Sequence, residues 1–338
     1  MTGAEPDGLE RRVVAQQVVH QWVEALQCFR RFEFGFLDRS GRVLTLAWMN
    51  RAARHTPKGP WARIGRLGGY YNLKYYRGCD HLVANTRDIV DHIRRQGWPA
   101  DRVHYLPNFA DVTAAPPVSR ESLQTPADVP VALALGRFHA NKAFDVLLEA
   151  VAATPGLYLW LGGDGELRGE IEAQVARLGL GSRVRLLGWR GDVPALFAAC
   201  DIAVCPSRHE PLGNVILEAW AHRRPVVAAA SAGPAELIRH EQTGLLVPVD
   251  DAASLAAALQ RLAGDRPLRE HLSQSGRAAY DAGFTEGAVV RQMEQLAQAP
   301  VHRPLVFGLG LAMDTPALAP DSTASVKSIR SRWFQYAA

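Results

Sequence analysis

From about Pro130 to Ala263 the sequence alternates short apolar runs with amphipathic stretches, and this constrains the fold more than any other feature. Val131–Leu135, Leu157–Leu161, Val184–Leu187, Ile202–Cys205, Pro225–Ala229 and Leu245–Val247 read as strands. Ala143–Ala153, Glu166–Leu178, Val193–Ala199, Asn214–His222, Ala235–Arg239 and Ser254–Ala263 read as helices between and after them. A strand that is apolar along its whole length is buried on both faces. Short apolar strands separated by helices therefore predict a parallel sheet covered on both sides. Such sheets bind ligands at the carboxyl ends of their strands, on loops that lead into helix N-termini.

Four of those loops are candidates for chemistry. Gly136-Arg137-Phe138-His139-Ala140-Asn141-Lys142 follows a strand and opens a helix. Two cations beside a glycine and a helix N-terminus suit a diphosphate, because the helix end adds unpaired N–H groups and partial positive charge. Taken alone, the segment reads more readily as a surface loop with incidental charges than as a diphosphate clamp. Glu210-Pro211-Leu212-Gly213-Asn214 leads into a second helix, where Gly213 lets backbone amides approach a ligand and Glu210 is placed to accept from sugar hydroxyls. Glu218 lies further along that helix, among Val215, Ile216, Leu217, Ala219 and Trp220, so it is buried and needs a partner. Gly162-Gly163-Asp164-Gly165 and Gly188-Trp189-Arg190 are further turns at strand ends, and Trp189 is placed to border a base. The first is no dinucleotide fingerprint, since the required third glycine is replaced by Arg168.

The first part of the chain is less regular. Val43–Trp48, His81–Ala84 and Val103–Leu106 read as strands, and Thr86–Gln96 as a helix capped by Thr86. Trp48–His55 follows a strand, which makes Asn50 and Arg51 candidate cleft residues. Arg66–Tyr71 and Lys74–Arg77 mix aromatic and basic side chains, as an acceptor contact or a packing face would. Asn108 follows Pro107 at a turn, and Ala114–Pro130 reads as a linker. We expect domains at 1–112 and 113–290, with 291–338 a C-terminal helix and loose tail.

Charge and cysteine usage narrow the setting. Residues 1–115 hold 17 Lys and Arg against 11 Asp and Glu, a net of +6, while the remainder has 21 against 23, a net of −2. A basic first half suits a solvated face, or an acidic partner such as an anionic membrane surface met peripherally or a phosphorylated acceptor. No basic run is interleaved with aromatics as in single-strand binders, so nucleic acid is not an expected partner. The sequence holds no run of the ~18–20 apolar residues that a spanning helix needs. Glu5, Asp7 and Glu10 argue against a secretory signal. Cys28, Cys79, Cys200 and Cys205 form no metal spacing, and a reduced, cytoplasmic setting is expected.

The order of the pieces carries a resemblance that no single piece does. Gly-Arg-Phe with Lys142, then Gly-Gly-Asp-Gly, Leu-Gly-Trp, and Pro-Ser-Arg-His-Glu-Pro-Leu-Gly-Asn ending at Glu218 resembles the donor domain of GT-B glycosyltransferases. The likeness is closest to the retaining group called family 4, the glycosyl transferases group 1. Glu210 to Glu218 fits that group's E-x7-E motif, and Gly244–Pro248 resembles the strand that follows it. The resemblance implies an α/β GT-B architecture of two Rossmann-like domains, with the N-terminal one apparently truncated. It implies a hexosyltransferase acting on a nucleotide-diphospho-sugar and a saccharide or lipid-linked acceptor in bacterial lipopolysaccharide or polysaccharide synthesis. Arg137 and Lys142 would hold the diphosphate, and Glu210 the transferred sugar. Gly136, Gly163, Trp189 and the backbone at Leu212, Gly213 and Asn214 would contact the donor, with Glu218 on the ribose. No metal or other cofactor is expected, because the cations and helix amides take that role.

The start departs from the family pattern. Met1–Arg12 offers only Thr2-Gly3-Ala4-Glu5 where relatives carry a strand and a Gly-Gly-x-Glu loop, and the first domain falls a strand–helix unit short. The alternative expectation is thus a donor-binding relic without turnover. A phosphorylase is disfavoured, because no Lys is positioned for a pyridoxal Schiff base, and a hydride-transfer enzyme by the missing fingerprint.

Overall fold

The structure is a computed structural model and describes residues 35–37, 43–48, 50–55, 62–110 and 113–297 of the 338. Thr2–Glu5, Cys28 and residues 300–338 lie outside the described residues. The described chain divides into two compact units. One holds the strands up to Val83 with residues 93–104, and the other residues 84–92 and 105–293.

A six-stranded sheet forms the second unit's centre. Its strands are β6 (Val131–Leu135), β7 (Tyr158–Gly162), β8 (Val184–Gly188), β9 (Ile202–Cys205), β10 (Val226–Ala229) and β11 (Leu245–Val247). They stand in the order β11-β10-β9-β6-β7-β8, and every neighbouring pair is parallel. Because side chains alternate along a strand, these all-apolar runs feed two cores at once. Ala132, Ala134, Leu159, Leu161, Ile202, Val204 and Val227 face one core with Phe144 and Leu147, while Val131, Leu133, Trp160, Ala203, Val226 and Ala228 face the other with Leu217 and Trp220. The all-parallel, doubly covered sheet agrees with the alternation in the sequence.

Helices follow each strand, and we number all described helices in chain order. The second unit holds α3 (Phe144–Ala152), α4 (Arg168–Arg177), α5 (Val193–Ala199), α6 (Asn214–Ala221) and α7 (Ala232–Leu237). It continues with α8 (Ala252–Gly264) and α9 (Arg266–Gly283), and α10 (Glu286–Ala297) closes the described chain. α7 starts earlier than the sequence suggests, since Gly233 and Pro234 conceal its first turn, where proline is tolerated. α9 lacks a strong apolar stripe, yet Asp265 caps it through Leu268 N at 2.8 Å. It packs on α6, with Gly276 against the Trp220 ring and Tyr280 Oη donating to Ala110 O at 3.1 Å. The expected linker 114–130 is pinned to this unit. Arg120 donates to Ala199 O, Val129 O and Asp201, whose carboxylate also takes Val131 N at 2.8 Å.

The other sheet runs β1 (Gly35–Leu37), β2 (Val43–Ala47), β3 (Ala62–Leu67), β4 (His81–Ala84) and β5 (Val103–Tyr105), in that order. β1 is antiparallel to β2, and β2 is parallel to β3. The stretch after β2 forms α1 (Asn50–His55), and α2 (Arg87–Arg95) follows β4. Thr86 caps α2 by accepting from Ile89 N at 3.1 Å, as its position implies. β3 escapes the sequence pattern because it carries Arg63 and Arg66. Arg63 is buried against Asp80, whose carboxylate accepts from Arg63 N at 2.9 Å.

A Cβ at Gly276 would sit 2.4 Å from Trp220 Cδ1, with no slack on either helix. Gly276→Val is expected to destabilise this unit by about 2 kcal/mol through overpacking. The readout is the urea midpoint followed by tryptophan fluorescence, and an unchanged midpoint would contradict the packing of α9 on α6.

Candidate functional site

The sheet order fixes where a ligand can enter. β6 is followed outward by β7 and β8 on one side, and β9 by β10 and β11 on the other. The loops leaving β6 and β9 therefore diverge, opening a crevice at the carboxyl ends of these two neighbours. The segments Gly136–Lys142 and Pro206–Gly213 are these two loops.

Their side chains meet in that crevice. Lys142 Nζ lies 2.8 Å from Glu210 Oε2, with both side chains largely buried. The Ser207 hydroxyl donates to the same carboxylate oxygen at 3.4 Å. The Lys142 stem reaches this position over Gly136, where a Cβ would stand 3.4 Å from its methylenes. The residue after Lys142, Ala143, takes a left-handed conformation (φ 52°) and is the N-cap of α3. A non-glycine residue there costs on the order of 1 kcal/mol, which the surrounding contacts must offset.

Backbone contacts lace the strand-end loops together. Gly136 N donates to Gly162 O at 3.0 Å, Phe138 N to Asp164 O at 2.8 Å, and Gly163 N to Gly188 O at 2.8 Å. A Cβ on Gly163 (φ 137°) would fall 1.9 Å from Gly136 O, so only glycine fits. Across the crevice, Arg208 donates to Ala140 O at 2.9 Å, forks onto Asp145 and meets Asp250, while His209 N donates to Asn141 O at 3.3 Å. Gly233 N donates to Glu210 O at 2.8 Å, and Gly233 has no room for a side chain beside Leu212. Ser207, Arg208 and Gly233 join the site without a sequence motif that marks them individually. Their signal was adjacency to Glu210 for the first two, and for Gly233 a glycine at the next strand end.

Two helices point their N-termini at this edge. Ala143 is the N-cap of α3 and Gly213 (φ 92°) that of α6, and neither cap residue has a side chain to satisfy the first-turn amides. Those amides and the helix dipoles favour an anion. Asn214 opens α6, and its Oδ1 accepts from Asn108 Nδ2 at 2.8 Å, so Asn108 fixes its orientation. Leu212 is buried behind it, and Glu218 is buried further along α6. The Cys205 thiol beneath Ser207 is pushed up to about 11 by burial and then by the Glu210 charge, which keeps it protonated at neutral pH.

The sequence candidates thus separate. Gly136, Lys142, Glu210, Leu212, Gly213 and Asn214 converge, with Asn108 behind Asn214 and Gly163 behind Gly136. Arg137 stands to one side, half-exposed, with its guanidinium 3.9 Å from Glu166, which His139 also approaches at 3.6 Å. Trp189 is 55% exposed on the turn after β8. Asn50 and Arg51 open α1 in the other unit. Among the described residues no group of three His, Cys, Asp or Glu could hold a metal ion. No described helix is long and apolar enough to cross a membrane.

Comparison with known proteins supplies independent findings. The family described as Glycosyl transferases group 1 matches residues 129–265. The lipopolysaccharide core biosynthesis glycosyltransferase LpsE of Rhizobium meliloti is 40% identical over 254 residues, 74% of this chain and 74% of that protein. LpsD of the same organism, with the same description, is 38% identical over 285 residues, 84% of this chain and 80% of its own length. Among solved structures, Anabaena Alr3699/HepE in complex with UDP-glucose superposes with a TM-score of 0.64 at 24% identity, covering 71% of this chain and 73% of its own.

The Lys142–Glu210 pair can be tested by itself. Lys142→Met strands a buried carboxylate and is expected to cost about 2–4 kcal/mol. Adding Glu210→Gln should recover roughly half of that loss, because the stranded charge is gone. Denaturant unfolding of the two single variants and the double variant measures both. Strictly additive effects would mean that the two side chains do not interact.

Proposed function

This chain belongs to the group 1 glycosyl transferases, and from that premise we propose that it moves a hexosyl group from a nucleotide-diphospho-sugar to a saccharide or lipid-linked acceptor. It is a glycosyltransferase with the GT-B fold. Its two R. meliloti relatives are described by lipopolysaccharide core biosynthesis, and we assign this chain to the same kind of assembly, in the cytoplasm.

The observation that carries the donor reading is the Lys142–Glu210 pair at the switch point. A buried ammonium held by a carboxylate is a cation ready for a stronger anionic partner. On donor binding Lys142 exchanges Glu210 for a diphosphate oxygen. The freed Glu210 carboxylate then accepts from hydroxyls of the sugar. Amides at Leu212, Gly213 and Asn214 and the first turn of α3 share the remaining phosphate charge, and Gly136 and Gly163 let the backbone come close. Glu218 takes the ribose diol and Trp189 borders the base. Arg137 turns from Glu166 to add a second full charge.

The chemical demand is stabilisation of the leaving diphosphate, an electrostatic task for fixed charges and dipoles. The bond from the anomeric carbon to the diphosphate oxygen breaks as the acceptor oxygen bonds to that carbon. Attack on the face of departure retains the configuration, and the departing oxygen on that face takes the acceptor's proton. Lys142, Arg137 and the helix amides meet this demand without a divalent ion.

Turnover with a panel of UDP-, GDP- and ADP-sugars tests the proposal, together with thermal shifts for the matching nucleotides. One nucleotide should raise the melting temperature by mass action. Lys142→Ala or Glu210→Ala should each cut turnover about a hundredfold, near 2.7 kcal/mol of barrier. A chelator should leave the rate unchanged. Nucleotide binding without turnover would overturn the transferase reaction, and unchanged rates in both variants would remove the site.

A further inference from the structure

The turn after β7 is gripped by the loop after β6. Phe138 N donates to Asp164 O at 2.8 Å, and Leu167 N donates back to Phe138 O at 3.1 Å. A Cβ on Gly165 would fall 2.5 Å from Phe138 O, so the two backbones lie in contact. Glu166 stands between Gly165 and Leu167, and its carboxylate meets the residues on either side of Phe138. Its Oε1 is 3.9 Å from the Arg137 guanidinium and 3.6 Å from His139 Nε2. His139 Nδ1 accepts from Asn141 N at 3.1 Å, which puts the proton of the neutral ring on Nε2, the nitrogen nearest Glu166.

The neighbouring acids are engaged elsewhere. Asp164 accepts from Gly165 N at 2.8 Å and pairs with Arg168 at 3.2 Å, while Glu172 takes the same guanidinium at 2.8 Å. Glu166 thus brings a carboxylate to the loop whose cations, Arg137 and Lys142, the donor reading sets on the diphosphate. The two cations are held differently. Lys142 is largely buried and tightly paired, whereas Arg137 and Glu166 are half-exposed and their contact is long. So open a pair is worth little, and an arriving anion separates it readily.

Transfer changes the charge of the ligand. A nucleotide-sugar has an ionised oxygen on each phosphate. Once the anomeric carbon–oxygen bond has broken and the acceptor's proton has passed to water, the product ends in a free phosphate that carries most of a further negative charge at neutral pH. Cations that hold the donor therefore hold the product more tightly, and a fixed negative charge beside them opposes the product most. We propose that Glu166 is a charge gate on the diphosphate loop, competing for Arg137 and His139 so that the nucleoside diphosphate is held less tightly and leaves faster. The inference rests on the donor reading of the crevice. Glu166 is a positioning residue here, acting through Arg137 and His139 and not on the reacting atoms.

Calorimetry on the full chain with UDP, GDP and ADP, and with UDP-glucose, GDP-mannose and ADP-glucose, tests this. Glu166→Gln should tighten the diphosphate that binds by about fivefold and its sugar ester by about twofold or less. In turnover, the inhibition constant of that diphosphate should fall by more than KM for the donor. The gain should fade in about 1 M salt, which screens charges this exposed, and should largely vanish in an Arg137→Gln background. Glu172→Gln removes the same charge from the partner of Arg168 and should leave both affinities as in the wild type. Glu166 and Glu172 are exposed, so neither substitution disturbs the core. Unchanged affinities in Glu166→Gln, equal tightening of diphosphate and ester, or the same gain in Glu172→Gln would overturn the gate and leave the donor reading standing. A wild-type chain that binds none of the six ligands would refute the donor reading, and the gate with it.

Discussion

The site depends on one ion pair, Lys142 to Glu210, formed between residues 68 apart in sequence. Neither side chain could be buried alone, because a lone charge in this setting would lose more hydration than folding returns. Their meeting requires β6 and β9 to be neighbours while their continuations run to opposite sides of the sheet. A different strand order would part the two loops that carry Lys142 and Glu210. The topology and the pair therefore imply one another.

Around the pair, position is enforced by backbone rather than by long side chains. Gly163 against Gly136 O and Gly233 against Leu212 bring main chains closer than any Cβ allows. Arg208 supplies an extended clasp, tying the Glu210 loop to Ala140 O and Asp145 at the start of α3. Such a frame lets the ammonium and carboxylate exchange partners without moving the loops that carry them. That is the preorganisation an electrostatic site needs, since dipoles already in place need no reorganisation during the reaction.

The sheet was legible because its strands are apolar end to end. Val131–Leu135, Ile202–Cys205 and Leu245–Val247 begin and end where the residues suggest. β3 was not legible, since Arg63 and Arg66 contradict a buried strand until Asp80 and Trp48 are seen beside them. α9 was hidden for a similar reason, its burial depending on Trp220 in a distant helix. Within the site, Lys142 and Glu210 could be found from their loops, and their contact follows from strand order. The turning of Arg137 toward Glu166 could not, because both are surface groups whose pairing depends on rotamers. Ser207 and Arg208 stood in plain view beside Glu210, but nothing local distinguishes a clasp from a solvated arginine.

On the proposed reading a pyrophosphate ester displaces Glu210 from Lys142 in this crevice. A crystal structure with the nucleoside diphosphate that most stabilises the chain measures it directly. Lys142 Nζ should stand in hydrogen-bond contact with a phosphate oxygen, and Glu210 should be withdrawn from the ammonium. A diphosphate seated elsewhere, with the ion pair intact at 2.8 Å, would contradict it.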